Sequence, residues 1–297
     1  MGKHVIVGAG QVGTHLAELL TGRGHDVTVV TRSGSGPDGA RRVAANVADR
    51  ERLTRLAKGA DALYNCVNPQ YHRWALDWPP MAASFLGTAE DTGAVLVTLS
   101  CLYGYGPVDG PMTEDLPLAA TGTKGRVRAT MWRDALAAHE AGRARVTELR
   151  GSDYYGPRST DQAYIGETRF VKPLLAGKRV PYFSDPSVPH AWTYLPDVAQ
   201  ALAIAGTDER AWGRPGTSPP ARRCPRSRSG SGCARSRGRR RRASTRCPAR
   251  SSTRPGSSPR WSRSCGRPGT SSTSPTSSTL RPSSRLSGWP RRRWTTL

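Results

Sequence analysis

Six residues near the amino terminus, Gly8-Ala9-Gly10-Gln11-Val12-Gly13, constrain this chain's fold more than anything else in it. They follow an apolar run, Val5-Ile6-Val7. They lead into Val12, Leu16, Leu19 and Leu20, whose spacing puts one apolar stripe along a helix. A glycine bend between a strand and a helix meets three demands. Gly8 permits the tight turn, Gly10 lets a bound group approach the backbone with no Cβ in the way, and Gly13 lets the helix pack closely on the sheet. Amides at the helix start then favour an anion. The expected ligand is the pyrophosphate of a dinucleotide, with Gln11 and Val12 beside it.

The pattern that follows fits that start. Strands are expected over 4–8, 27–31, 42–45, 62–67, 94–100 and 146–151, alternating with helices over 50–58, 81–92 and 124–141. Residues 164–176 and 196–206 read as helical and 180–183 as extended. Pro and Gly stand at the joints rather than inside these elements. The alternation predicts an α/β fold, a doubly wound parallel sheet of the Rossmann type with helices on both faces. A partial substrate lobe is expected from about residue 151.

Composition matters mainly for where this grammar stops. The formal charge of +23 would suggest a nucleic-acid binder, but residues 215–297 hold 21 Arg and no Lys, Asp or Glu, and residues 1–214 carry +2. Beyond 214 there is also no Val, Ile, Phe, Met or Tyr. Such a segment cannot bury enough apolar surface to order itself. A basic nucleic-acid arm, a low-complexity linker and an out-of-frame translation of a G+C-rich gene all describe it, and we favour the last. On that reading residues 1–214 form the domain, residues 215–297 are a disordered tail, and the final sheet strand is missing. No apolar run is long enough to span a membrane and no signal segment is visible, so a cytoplasmic protein is expected. The six Cys lack metal-ligand spacing, so no metal site is expected.

At the end of the second strand, where NAD-binding units offer a carboxylate to the ribose, stands Thr31-Arg32-Ser33. A guanidinium there suits a 2′-phosphate, so NADP is preferred over NAD. Asn46 and Val47 after the third strand, and Cys66 and Val67 at the end of the fourth, are the remaining candidate cofactor contacts.

Several stretches carry a more specific likeness: Leu99-Ser100-Cys101-Leu102-Tyr103-Gly104, Thr113-Glu114-Asp115-Leu116-Pro117, 149–157 and 190–199. With the glycine loop they span most of residues 3–206, and the chain resembles an atypical extended short-chain dehydrogenase/reductase of the NAD-dependent epimerase/dehydratase group. The resemblance implies a Ser or Thr that orients a substrate oxygen and a Tyr-x-x-x-Lys pair. In that pair lysine holds the nicotinamide ribose and tyrosine exchanges a proton. Ser100 matches the first role and Lys124 the lysine. Ala120 stands where the tyrosine belongs.

Tyr103 is the preferred substitute acid. Tyr105, Tyr154 and Tyr155 share the same rim, and each is otherwise an aromatic wall. His72 and His190 read as packing or rim contacts. The leading function is an NAD(P)-dependent oxidoreductase or epimerase-like enzyme acting on a small hydroxyl- or carbonyl-bearing substrate, compatible with a homodimer. Cofactor sensing without turnover, as in NmrA-like regulators, is the alternative that Ala120 supports. Nucleic-acid binding depends wholly on the tail.

Overall fold

A computed structural model of the chain describes residues 1–160, 162–180, 189–218 and 224–225. Seven strands form one parallel sheet: β1 (Lys3–Val7), β2 (Asp26–Thr31), β3 (Arg41–Ala44), β4 (Ala62–Asn65), β5 (Val95–Cys101), β6 (Val146–Gly151) and, further along the chain, Pro215–Thr217. Their spatial order is β3-β2-β1-β4-β5-β6, with Pro215–Thr217 outside β6. The order reverses direction between β1 and β4, and a crevice opens there at the carboxyl ends of the strands.

Alternation along the strands assigns the two faces. Ile6, Val29, Tyr64, Val97 and Leu149 point to one side and pack with α1 (Gln11–Gly22) and a late helix, Leu195–Ala205. Val5, Val7, Val30, Leu63, Leu96 and Val146 point to the other, against α2 (Arg50–Ala57), α3 (Trp74–Thr92) and α4 (Thr123–Glu140). Sheet strands buried on both faces read as near-continuous apolar runs, which is why they were visible in the sequence.

Beyond β6 come β7 (Asp153–Tyr155), α5 (Lys172–Leu175), β8 (Pro189–His190), β9 (Trp192–Tyr194), α6 (Leu195–Ala205), β10 (Pro215–Thr217) and β11 (Cys224–Pro225). Strands β7 and β9 pair in parallel, and Ile165, Phe170 and Trp192 make a small separate cluster beside them.

Three expectations change. The sheet does not end at residue 214: Pro215, Gly216 and Thr217 lie opposite Glu148, Leu149 and Arg150, and the Ser218 amide donates to the Arg150 carbonyl at 2.9 Å. The last strand is therefore present, formed through backbone bonds that place little demand on side-chain type. Helix α3 begins at Trp74 rather than 81 and contains Pro79 and Pro80. Buried Trp74 and Trp78 hold its first turns against the body, so tertiary packing overrides the proline signal. The helical stretch expected at 164–176 is shorter, a wide turn at Glu167–Val171 running into α5. The extended segment expected at 180–183 and most of the Arg-rich tail lie outside the described residues. No described helix is long and apolar enough to cross a membrane.

Candidate functional site

The crevice has two ends. At the first, the glycine loop meets each of its three demands in coordinates. Gly8 has φ +100°, and a Cβ on it would lie 2.7 Å from the Cys66 carbonyl oxygen. A Cβ on Gly13 would overlap the Gly8 carbonyl oxygen, so only glycine lets α1 sit this close to β1. Gly10 differs: nothing lies within 4 Å of where its Cβ would be. Gly10 is also the N-cap of α1 and no side chain caps that helix. The orphan amides of the first turn therefore face open space, and the donor set fits a diphosphate.

The other cofactor candidates sort by exposure. Val12 and Cys66 are buried in the core beneath the loop, so they shape it from behind. Burial pushes the Cys66 thiol up to about 12. Val47 is likewise a core residue, packed with Val5, Val7 and Leu53, and does not flank a ligand as a free surface. The Asn46 carboxamide accepts from the Ala48 amide at 3.1 Å, which closes its own turn. The Val67 amide donates to Asn65 Oδ1 at 3.3 Å. Arg32 is exposed at the end of β2. Gln11 is not free: its Oε1 accepts from the Thr160 amide at 3.0 Å. With His15 to the Pro157 carbonyl (3.0 Å) and Arg158 to Glu18 (2.6 Å), it fastens residues 157–160 along one face of α1. That strap was not foreseen. The i, i+4, i+7 spacing of Gln11, His15 and Glu18 was its only sequence trace.

At the second end Tyr103 and Lys124 share one cluster, joined by a residue the sequence reading passed over. Lys124 Nζ lies 4.9 Å from the Tyr71 ring centre, and the Tyr103 and Tyr71 hydroxyls are 3.5 Å apart. Tyr71 stacks on Trp74 at 4.9 Å, and Tyr103 tilts against the same indole at 5.8 Å. Burial raises both phenols above their ordinary range, so each holds its proton at neutral pH. Tyr154 is raised for the same reason.

Ser100 is 4% exposed and stands opposite Arg150 in the β5–β6 pairing. Glu148 accepts from Arg150 Nε at 2.6 Å, and Arg150 Nη1 donates to the Tyr105 hydroxyl at 2.6 Å. Tyr105 is thus a core residue, packed with Leu102 and Met112 and anchored by a buried ion pair, rather than part of a rim. Burial holds the Glu148 carboxyl above the usual range against the pull of Arg150.

Ala120 is partly exposed and lies against the start of α4. A Cβ on Gly125 would overlap the Ala120 Cβ and lie 2.5 Å from the Tyr103 carbonyl oxygen. His190 Nε2 sits 2.8 Å from Asp153 Oδ2, and His72 is exposed in the turn before α3. Among the described residues no group of three or more His, Cys, Asp or Glu could hold a metal ion.

Comparisons with known proteins agree with this architecture. The model of the NAD dependent epimerase/dehydratase family matches residues 4–216. A UDP-N-acetyl-alpha-D-glucosaminuronate decarboxylase from Bacillus cytotoxicus is 25% identical over 226 residues, covering 68% of this chain and 70% of the relative. The dTDP-glucose 4,6-dehydratase of Bacillus anthracis, solved with NAD, superposes with a TM-score of 0.67 at 17% identity, over 78% of this chain and 80% of the other. MoeE5, solved with UDP-glucuronic acid and NAD, gives 0.62 at 23% identity, over 73% and 75%.

Proposed function

The chain belongs to the NAD dependent epimerase/dehydratase family, and from that premise we propose that it binds NADP in preference to NAD and uses it on a nucleotide-linked sugar. The observation that carries this reading is Gly10: its neighbours meet every packing demand of the loop, while Gly10 faces nothing but open space at an uncapped helix start. A structural turn has no need of that glycine; a diphosphate does. The preference for NADP rests on Arg32, which stands exposed where a carboxylate would repel a 2′-phosphate. The substrate class is supported by the nucleotide sugars in the names of the relatives.

When bound, the nicotinamide ring supplies a hydride acceptor and donor. This chain's residues would then orient and protonate. Lys124, held over the Tyr71 ring, positions the nicotinamide ribose. Tyr103, kept protonated by burial, donates its hydroxyl to the substrate oxygen. With Ser100 buried, the role of polarising that oxygen passes to the Tyr71–Tyr103 hydroxyl pair.

A second reading, cofactor binding without turnover, is favoured by Ala120 and by buried phenols whose raised affinity for protons makes them weak acids and leaves no phenolate to act as base. Calorimetric titration of the full chain separates these from failure. We expect NADP to bind about tenfold tighter than NAD, a difference of about 1.4 kcal/mol. If neither coenzyme binds at millimolar concentration, both readings fall. Addition of UDP-sugars should then produce a transient reduced-nicotinamide fluorescence that Tyr103→Phe suppresses. Tight binding with no such signal favours the second reading.

A further inference from the structure

Arg128 is a charge that the cofactor reading leaves unused. It lies one turn beyond Lys124 on α4 and is 6% exposed. Its guanidinium carbon is 4.8 Å from the Trp74 ring centre and 4.3 Å from that of Trp78. The hydrogen bonding is almost empty. Nη1 donates to the Leu99 carbonyl at 3.4 Å, and the buried Nε has no partner among the described residues.

Nearby carboxylates do not supply the missing anion. Glu148 feels Arg128 but is already paired with Arg150, and Asp153 is held by His190. Arg128, Arg150 and Glu148 are all buried, so two guanidiniums share one buried carboxylate. Burying an unpaired ion is costly, and two indole rings offset only part of that cost. The location is informative as well. The field of Arg128 reaches Tyr71, Cys101 and Tyr154, which lie just after β4, at the end of β5 and just after β6. Its stacking partner Trp74 also carries Tyr71 and Tyr103.

We infer that Arg128 is a specificity residue that binds a carboxylate on the substrate, so that the preferred sugar is an acidic one. This rests on the enzyme reading above. The guanidinium is a rigid planar fork whose carbon lies over the two indole rings and whose Nε has no partner among the described residues. A planar carboxylate meets such an edge with two parallel charge-assisted bonds. The ligand then provides the counter-ion that the fold withholds, and the paired hydroxyls of Tyr71 and Tyr103 remain for the neighbouring sugar oxygen.

The test uses the full chain saturated with NADP and two probes that differ by one carboxylate, UDP-glucuronic acid and UDP-glucose. Calorimetry should show the acid binding about tenfold tighter, which is about 1.4 kcal/mol. Arg128→Lys and Arg128→Met should each bring the two sugars to within about twofold. The lysine variant keeps a charge on the tryptophans and loses only the fork, so it answers the question if the methionine variant does not fold. The readout is the discrimination between sugars rather than affinity for either. Equal affinities in the unaltered chain, binding of neither sugar, or a preference that survives Arg128→Lys overturns the inference while NADP binding still stands. Loss of NADP binding itself would instead sink the enzyme reading.

Discussion

The two ends of the crevice are built on different principles. At the glycine loop the constraints act on the backbone: Gly8 and Gly13 are fixed by a positive φ and by a carbonyl oxygen, and no alternative residue satisfies them. At the far end the constraints act on side chains. Ala120 stands four residues before Lys124, while Tyr71, Trp74, Tyr103, Lys124 and Arg128 gather into one cluster. Backbone requirements tie a site to one sequence pattern. Side-chain requirements can be met again from other elements.

The largest expected effect breaks the loop itself. Gly13→Ala puts a methyl group onto a backbone oxygen that cannot yield without moving β1, and should cost about 4 kcal/mol or more, read as a fall in the urea midpoint. Gly10→Ala has open space around it and should leave that midpoint within about 1 kcal/mol while weakening NADP binding at least about tenfold. If both substitutions destabilise equally, the loop is a packing device and the contrast between the two ends collapses.

The next effect belongs to the far end. Glu148→Gln keeps the shape of the side chain but leaves Arg150 buried and uncompensated beside Arg128, and should cost about 3 kcal/mol. Replacing Glu148 and Arg150 together by Met should recover most of that loss, because two buried charges are removed with their shared desolvation cost. A double variant no better than the single one would mean that the pair is held for geometry, with Tyr105 as its dependant.

What the sequence made legible follows the same division. The loop, the alternation of strands and helices and the apolar stripe of α1 were readable because each depends on neighbours a few residues away. The far end was readable only in part. Tyr103 and Lys124 were named, but Tyr71, which joins them, lies 32 residues before Tyr103 and carries no motif. Arg128 had a trace in its four-residue spacing from Lys124, as Trp74 and Trp78 had in theirs, yet their stacking exists only once α3 packs on α4. Ser100 was named from the resemblance; alternation along β5 turns it with Leu96 and Thr98 toward the α3–α4 face, where it is buried, and a motif alone does not report burial. The closing strand at Pro215–Thr217 was missed because composition changes there before backbone pairing does.

The smallest expected effect compares the two ends through their thiols. Cys66 is wholly inside the loop's core, and burial alone lifts it from its ordinary 9.0 to about 12. Cys101 is partly exposed at the far end, also raised by burial but drawn back by Arg128. A thiol whose folded-state pKa exceeds its unfolded value stabilises the fold below that unfolded value. The contribution is lost as pH climbs toward the folded pKa. For Cys66 the window runs from about pH 9 to about 12. Cys66→Ala should therefore reduce the alkaline fall in unfolding free energy by up to about 1.4 kcal/mol per pH unit, one proton's worth, in urea titrations above pH 9. Peptide mapping after brief alkylation at pH 8 should find Cys101 modified well before Cys66. Equal labelling would mean that the backbone-built end opens as readily as the side-chain-built one, and that its tight glycine packing does not translate into local rigidity.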